Sequence, residues 1–282
     1  MKASDTFLIG GDISVSRLGY GAMRLCGPGI WGHPEDPAQA TRVLRAAVDA
    51  GVQLIDTSDA YGPHVNESQI RAALHPYQGL CIATKGGLTR DGPGHWGRDG
   101  RPERLRACIE GSLLRLGVEV IDLYQLHAPD PQVPFEESFG VLVDARDAGL
   151  VRHLGLSNVS VDQIKRAQAM APVATVQNRY NLLDREHEPV LQFCETHGIG
   201  FMPWYPLGAG PLCAPDGPLA DMASPLNTSP ASIALAWLLA RSPVMLPIPG
   251  TSSLPHLADN VSARDITLPP EHLATLSSLN PS

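Results

Sequence analysis

The sequence predicts an α/β protein, a closed (β/α)8 TIM barrel with an N-terminal β-hairpin plugging one end, formed by a single domain spanning residues 1–282. Three observations carry this. Short apolar runs alternate with helix-period segments along the whole chain. The apolar runs are continuous rather than alternating, as in parallel strands covered on both faces. The alternation counts through to eight strands and about eight helices, with no linker, charge run or composition shift dividing them. A barrel of this kind takes about 250 residues. An open doubly wound sheet is the competing architecture. It needs a glycine-rich phosphate turn after an early strand, and Gly19-Tyr20-Gly21-Ala22 is too short a match to GxGxxG.

The elements follow in order. Residues Phe7 to Leu18 place two apolar runs around Gly10-Gly11-Asp12, which is hairpin chemistry. Gly19 to Met23 is a short strand followed by a Gly/Pro/Trp loop. Asp36 is placed to cap a helix with Pro37 in its first turn, and Ala40, Val43, Leu44, Ala47 and Val48 recur at helical spacing until Gly51. The same grammar repeats: strand from Val52 to Thr57, helix from Glu67 to Leu74, strand from Leu80 to Thr84, and a helix opened by Arg101-Pro102 and closed by Gly117. Val120 to Leu126, Val151 to Leu156, Ala174 to Gln177, Ile199 to Pro203 and Val244 to Pro247 complete the strands. Phe135 to Ala148, Asp162 to Met170 with Ser160 as its cap, His187 to Thr196 and Ser232 to Ala240 are the helices between them. The Pro/Gly/Ser-rich piece from Leu207 to Pro230 reads as a long loop over the face where chemistry sits.

Composition narrows the function. A formal charge of -8 with no Lys/Arg block argues against nucleic acid or an anionic membrane as the main partner. The five cysteines, Cys26, Cys81, Cys108, Cys194 and Cys213, are widely spaced with no CxxC, which suggests neither a disulfide framework nor a zinc site. No apolar stretch follows Lys2 as in a secretion signal, and the longest apolar run, Ile233 to Ala240, is too short for a bilayer. The expectation is a cytoplasmic protein, a monomer or weak oligomer, acting on a small molecule.

Four strand ends carry unusual residues: Asp56 with Tyr61, Lys85, His127 in Leu126-His127-Ala128-Pro129, and Ser157-Asn158. Strand C-termini are where barrels of this class do chemistry. A phenol ionises near about 10 and serves at neutral pH when a cation lowers that value. Lys85 is that cation, Asp56 holds the lysine, and His127 hydrogen-bonds a substrate carbonyl oxygen as charge grows on it. Tyr61 then donates a proton to the developing alkoxide. The set fits hydride delivery to a carbonyl rather than hydrolysis, because no serine nucleophile elbow accompanies it. A metal at Asp56 and His127 is the weaker alternative, since neither HxH nor HExxH is present. Taken singly, each of these residues also has an ordinary structural reading: a solvated lysine, a packed histidine, an aspartate that caps a turn.

Six segments in order resemble the aldo-keto reductases: Asp-Thr-Ser-Asp-Ala-Tyr-Gly at 56–62, Thr-Lys-Gly at 84–86, Leu-His-Ala-Pro-Asp at 126–130, Gly-Leu-Ser-Asn at 155–158, Val-Gln-Asn-Arg-Tyr-Asn-Leu at 176–182 and Ile-Pro-Gly-Thr-Ser-Ser at 248–253. The resemblance implies a (β/α)8 barrel binding NADPH in extended form, with Tyr61, Asp56, Lys85 and His127 as the catalytic four. It further implies that Ser157, Asn158 and Gln177 bind the nicotinamide carboxamide, and that Trp204 stacks on the nicotinamide ring. Leu207, Gly208 and Gly210 match the pyrophosphate loop, and Gly250, Thr251, Ser252, Asp259 and Asn260 match the adenosine end. Many relatives carry a lysine and an arginine near that end where this chain has Gly250 and His256, so charge-assisted phosphate contacts are fewer and NADH remains an alternative.

Arg17 to Met23, Tyr61 to Val65 and Pro249 to Ser253 are most similar to the pyridoxal reductase branch, which implies a pyridoxal-like aromatic aldehyde as substrate. Trp31 and Trp96 are the candidate pocket walls, each with loop anchoring as its other reading, and the stretch after Asn280 is too short for a long C-terminal flap. Two other functions compete: a biosynthetic ketone or imine reductase or dehydrogenase using the same site, and an NADPH-binding regulatory module with little turnover.

Overall fold

A computed structural model describes residues 5–208, 211–214, 217 and 219–279. The chain opens with β1 (Thr6–Ile9) and β2 (Ile13–Ser16), an antiparallel hairpin turned by Gly10 and Gly11 at positive φ, where a Cβ is disfavoured. Then come β3 (Tyr20–Gly21), α1 (Pro37–Asp49), β4 (Leu54–Asp56), α2 (Val65–Leu74) and β5 (Cys81–Gly86). A second hairpin follows, β6 (Leu88–Gly92) with β7 (His95–Arg98). The alternation resumes with α3 (Pro102–Leu116), β8 (Ile121–Leu126), α4 (Phe135–Asp147), β9 (Val151–Ser157), α5 (Val161–Gln168), β10 (Thr175–Gln177), α6 (Glu188–His197) and β11 (Gly200–Phe201). Helices α7 (Ala220–Ala223), α8 (Pro230–Arg241), α9 (Leu254–Ser262) and α10 (Pro270–Ser278) complete the described elements.

Seven parallel strands run in the order β3-β4-β5-β8-β9-β10-β11. Residues 244–249 supply the eighth stave and close the ring. On one side they exchange Phe201 N–H to Val244 C=O and Leu246 N–H to Phe201 C=O, both 2.8 Å. On the other, Gly19 and Gly21 donate to Pro247 and Pro249. All donors at that seam come from the β3 side, because Pro247 and Pro249 have no N–H. The expected strand from Val244 to Pro247 is therefore a bridging segment rather than a full ladder.

The hairpin β1–β2 plugs the barrel as the sequence predicts. Ile9 and Val15 form a compact apolar cluster with Leu54, Cys81, Ala83, Leu123, Met202, Leu246 and Ile248, whose side chains fill the barrel interior. A larger cluster lies between the staves and the surrounding helices, and includes Trp237 stacked on Tyr180. The helix ends follow local chemistry: Asp36 accepts from Gln39 N–H ahead of α1, Ser160 and Gln163 form a reciprocal capping box at α5, and Gly117 ends α3 in the left-handed region.

Departures from expectation have local causes. Helix α2 starts at Val65, before the expected Glu67, after His64 in a left-handed conformation. β5 runs through Gly86, so Lys85 lies within the strand rather than just past it. The β6–β7 hairpin carries no apolar alternation, since its residues are mostly polar and partly exposed, and its register shifts between Thr89 and Gly92. Among the described residues no helix is long and apolar enough to cross a membrane, no group of three or more potential ligands is placed to hold a metal, and all five cysteines are free.

The seam depends on close backbone approach. A Cβ on Gly21 would fall 2.6 Å from the carbonyl oxygen of Ile248, and one on Gly250 would fall 2.5 Å from that of Gly21. Gly21→Ala is expected to lower stability by about 1–3 kcal/mol through this overpacking. An unchanged urea midpoint would show instead that the seam relaxes freely.

Candidate active site

Asp56 ends β4 and Lys85 is the penultimate residue of β5. Asp56 sits opposite Ala83, two residues before Lys85, so both side chains point into the barrel one step apart. The Lys85 ammonium is fully buried, 2.8 Å from Asp56 Oδ2, 2.7 Å from the Thr57 carbonyl and 3.4 Å from the Tyr61 hydroxyl. Three acceptors match its three N–H donors. The other carboxylate oxygen, Asp56 Oδ1, accepts from Gln177 Nε2 at 2.9 Å. Asp56 and Tyr61 are both nearly buried, and Tyr61 is brought over Lys85 by the turn in which Tyr61 N–H donates to the Ser58 carbonyl.

Burial pulls the Lys85 ammonium down, but the charge of Asp56 and then Tyr61 outweighs it and holds the ammonium above its ordinary value. The Tyr61 phenol departs from the sequence expectation. Burial pushes it above its ordinary value, and the opposing pull of Lys85 is partly cancelled by Asp56. The amine and phenol lie at the expected separation, yet loss of water outweighs the single cation. Tyr61 is therefore protonated at neutral pH, with the Lys85 ammonium 3.4 Å from its hydroxyl.

His127 directly follows β8. Its Nδ1 lies 3.0 Å from Ser58 Oγ and its ring meets Tyr61 edge-on, with centroids 5.8 Å apart. Burial, then the charge of Lys85, pushes the imidazole well below its ordinary value. A neutral imidazole can offer a hydrogen bond without carrying charge.

These groups face a cavity of about 540 Å³ lined by Asp56, Tyr61 and His127 on its floor. Of the cofactor positions expected from sequence, Ser157, Asn158, Gln177, Trp204, Leu207, Gly208 and Gly250 line it as well. Asn158 is held by donation to the His127 carbonyl and by Trp204 Nε1–H, which donates to its Oδ1 at 3.0 Å. Thr251, Ser252, Asp259 and Asn260 do not line this cavity. Ser252 borders an adjoining depression with Arg24 and Gln39, Thr251 accepts the Tyr20 hydroxyl through its carbonyl, Asp259 is exposed and Asn260 is buried, both on α9. Gly210 lies outside the described residues.

The two candidate tryptophans separate. Trp96, on β7, lines the cavity edge-on to Tyr61 at 6.4 Å, with the Arg90 guanidinium 3.7 Å from its ring centroid. Trp31 does not line it, and instead bridges Gly62 through its backbone.

Sequence reasoning missed Ser58, which touches His127, and Arg24, Leu88 and Tyr205, which line the cavity. Ser58 sits inside the motif that holds Asp56 and Tyr61, and only its contact across the barrel gives it meaning. Gly250 gains a reason as well. It stands at the position where the sequence departs from the lysine pattern, and the Gly21 carbonyl leaves no room there for a Cβ.

Residues 17–281 match the model of the Aldo/keto reductase family. The chain is 49% identical to an uncharacterized oxidoreductase of Schizosaccharomyces pombe, over 94% of this chain and 87% of that one. It is 42% identical to pyridoxine 4-dehydrogenase of Escherichia coli over 99% of both chains. Among solved structures, glycerol dehydrogenase of Gluconobacter oxydans superposes with a TM-score of 0.87 at 29% identity, covering 98% of this chain and 94% of that one. An aldo-keto reductase of Klebsiella pneumoniae solved in complex with NADPH superposes at 0.84 with 27% identity, covering 100% and 96%. Agreement of that extent in both sequence and backbone means that this chain belongs to the aldo/keto reductase family of oxidoreductases.

Proposed function

We propose that the protein reduces an aldehyde or ketone with NADPH, and that a pyridoxal-like aromatic aldehyde is its substrate. The observation that carries this is the buried Lys85 ammonium bridging the Asp56 carboxylate and the Tyr61 hydroxyl on the floor of a cavity that Trp204 also lines. The residues suit the cofactor. Trp204 offers an aromatic face for a flat ring, and Ser157, Asn158 and Gln177 gather hydroxyl and amide groups beside it. Bound there, the nicotinamide supplies the hydride.

The chain's own residues do the rest. Neutral His127 orients the carbonyl oxygen, Tyr61 gives its proton to that oxygen as negative charge develops, and Lys85 steadies the phenolate left behind. Asp56 holds Lys85, and Gln177 holds Asp56. The aromatic-aldehyde reading draws support from the 42% identity to pyridoxine 4-dehydrogenase and from Trp96, Tyr205, Leu88 and Ile30 in the cavity wall. The dehydrogenase names of two relatives favour the reverse reaction, alcohol oxidation, as the second reading.

Tyr61→Phe is expected to lower kcat for pyridoxal reduction by about 10²–10⁴-fold, with the Kd for NADPH by fluorescence titration unchanged. Wild-type turnover in that variant sinks the proton-donor role. Lys85→Met leaves the Asp56 charge buried without its partner, so a stability loss of about 3–5 kcal/mol accompanies loss of turnover; the reading is denaturant unfolding beside the assay. Kinetics with each cofactor should show NADPH preferred to NADH, and equal kcat/KM values would remove the NADPH preference.

A further inference from the structure

We infer that Ser58 and Asp59 are positioning residues that decide which nitrogen of His127 carries the proton, and so whether the site presents a donor or an acceptor to the substrate oxygen. The inference deepens the carbonyl-reducing reading above and rests on it.

Ser58 Oγ is the meeting point. It lies 3.0 Å from His127 Nδ1, 3.3 Å from Asp59 Oδ1, 3.3 Å from the Lys85 carbonyl, and accepts from Ala60 N–H at 3.1 Å. Asp59 is 1% exposed, and among the described residues its second oxygen, Oδ2, is buried without a hydrogen-bond partner at normal distance, while the Cys108 thiol lies beside the carboxyl as a weak donor. It borders a separate cavity of about 420 Å³ lined also by His64, Arg90, Asp99, Arg101 and Arg104. Among the described residues His127 makes no side-chain hydrogen bond besides that to Ser58, and its ring lines the main cavity with Nε2 unengaged by them.

A hydroxyl with one hydrogen and one lone pair already used permits two arrangements. With Asp59 protonated, its O–H donates to Ser58 Oγ, the Ser58 O–H donates to His127 Nδ1, and Nε2 carries the proton into the main cavity. With Asp59 ionised, the Ser58 O–H turns to the carboxylate, Nδ1–H donates to Ser58 Oγ, and Nε2 is bare. Passing from the first to the second releases one proton, from Nε2, while the Asp59 and Ser58 protons each move one place along the chain. Ser58 Oγ accepts two hydrogen bonds in both arrangements, one of them always from Ala60.

A carbonyl oxygen only accepts hydrogen bonds, so it requires the first arrangement. An alcohol can donate to the bare nitrogen of the second. Burial raises the Asp59 carboxyl to about 6, a shift that Glu67 on α2 reinforces and that Cys108, Arg104 and Arg115 on α3 oppose. The Tyr124 hydroxyl on β8 is a further buried neighbour, without a hydrogen-bond partner among the described residues. The reduction-competent arrangement is thus populated below about pH 6 and lost as pH rises through it.

The test uses full-length protein labelled with ¹⁵N-histidine, His127 being assigned by its absence in His127→Ala. Long-range ¹H–¹⁵N spectra of the wild type should show the Nε2–H tautomer at pH 5 and Nδ1–H at pH 8. Asp59→Asn supplies a neutral amide donor to Ser58, so it should stay Nε2–H at both. In step with this, wild-type kcat/KM for aldehyde reduction should fall at least about tenfold from pH 6 to 8, while Asp59→Asn keeps a flat profile and Ser58→Ala loses the pH dependence of the tautomer. One wild-type tautomer at both pH values, or a transition that survives in Asp59→Asn, overturns the inference. Failure of the carbonyl-reducing reading would show separately, as no aldehyde reduction by the wild type with NADPH or NADH at any pH from 5 to 8, with the tautomer spectra unaffected.

Discussion

The buried ammonium of Lys85 is the constraint on which the site depends. A cation out of water is tolerated only when charge and hydrogen bonds replace its hydration. Here one loop does most of that work: Asp56, Thr57 and Tyr61 all come from the six residues at the end of β4. The loop is in turn tied to β5 by Thr57 N–H to the Ala83 carbonyl and Asp59 N–H to the Lys85 carbonyl. The turn that carries the phenol and the strand that carries the amine are therefore one hydrogen-bonded unit.

A second buried charge lies just outside this unit. Glu67 on α2 is fully buried, accepts from Thr84 Oγ1 at 2.6 Å and pairs with Arg115 at 2.6 Å. Thr84 precedes Lys85 on β5, and in a strand neighbouring side chains point to opposite faces. The inward face thus carries the Lys85–Asp56 pair and the outward face the Glu67–Arg115 pair. Polar interactions pin β5 from both sides where its position matters most.

Burial has opposite consequences for the two rings at the floor. It raises the phenol and depresses the imidazole, so both are neutral near pH 7. A neutral acid beside a fixed cation suits an oxygen that gains charge during reaction, and the neutral imidazole offers that oxygen a donor only while Nε2 rather than the nitrogen facing Ser58 carries the proton. Cavity and catalytic floor share a boundary with the barrel seam, because Gly21, Ile248, Pro249 and Gly250 belong to both. Close backbone approach there sets the cavity wall and leaves no space for a side chain at position 250.

Much of this was legible in the chain itself. Alternating apolar and helical segments, the caps at Asp36 and Ser160, the stop at Gly117 and the hairpin glycines are local signals, because each depends on neighbours within a few residues. The gathering of Asp56, Tyr61, Lys85 and His127 at neighbouring strand ends was equally readable, since barrel strands deliver their C-terminal residues to one face. The tertiary structure decided the rest. The β4–β5 register set Asp56 opposite Ala83 and so one inward step from Lys85, the ring brought Gln177 from β10 to the same carboxylate, and Ser58 acquired a partner 69 residues away. It also chose Trp96 over Trp31 as a cavity wall and set the Tyr61 phenol above its ordinary value rather than below it. Those outcomes depend on burial and charge summed over groups from several strands, and sequence spacing along one strand carries no information about that sum.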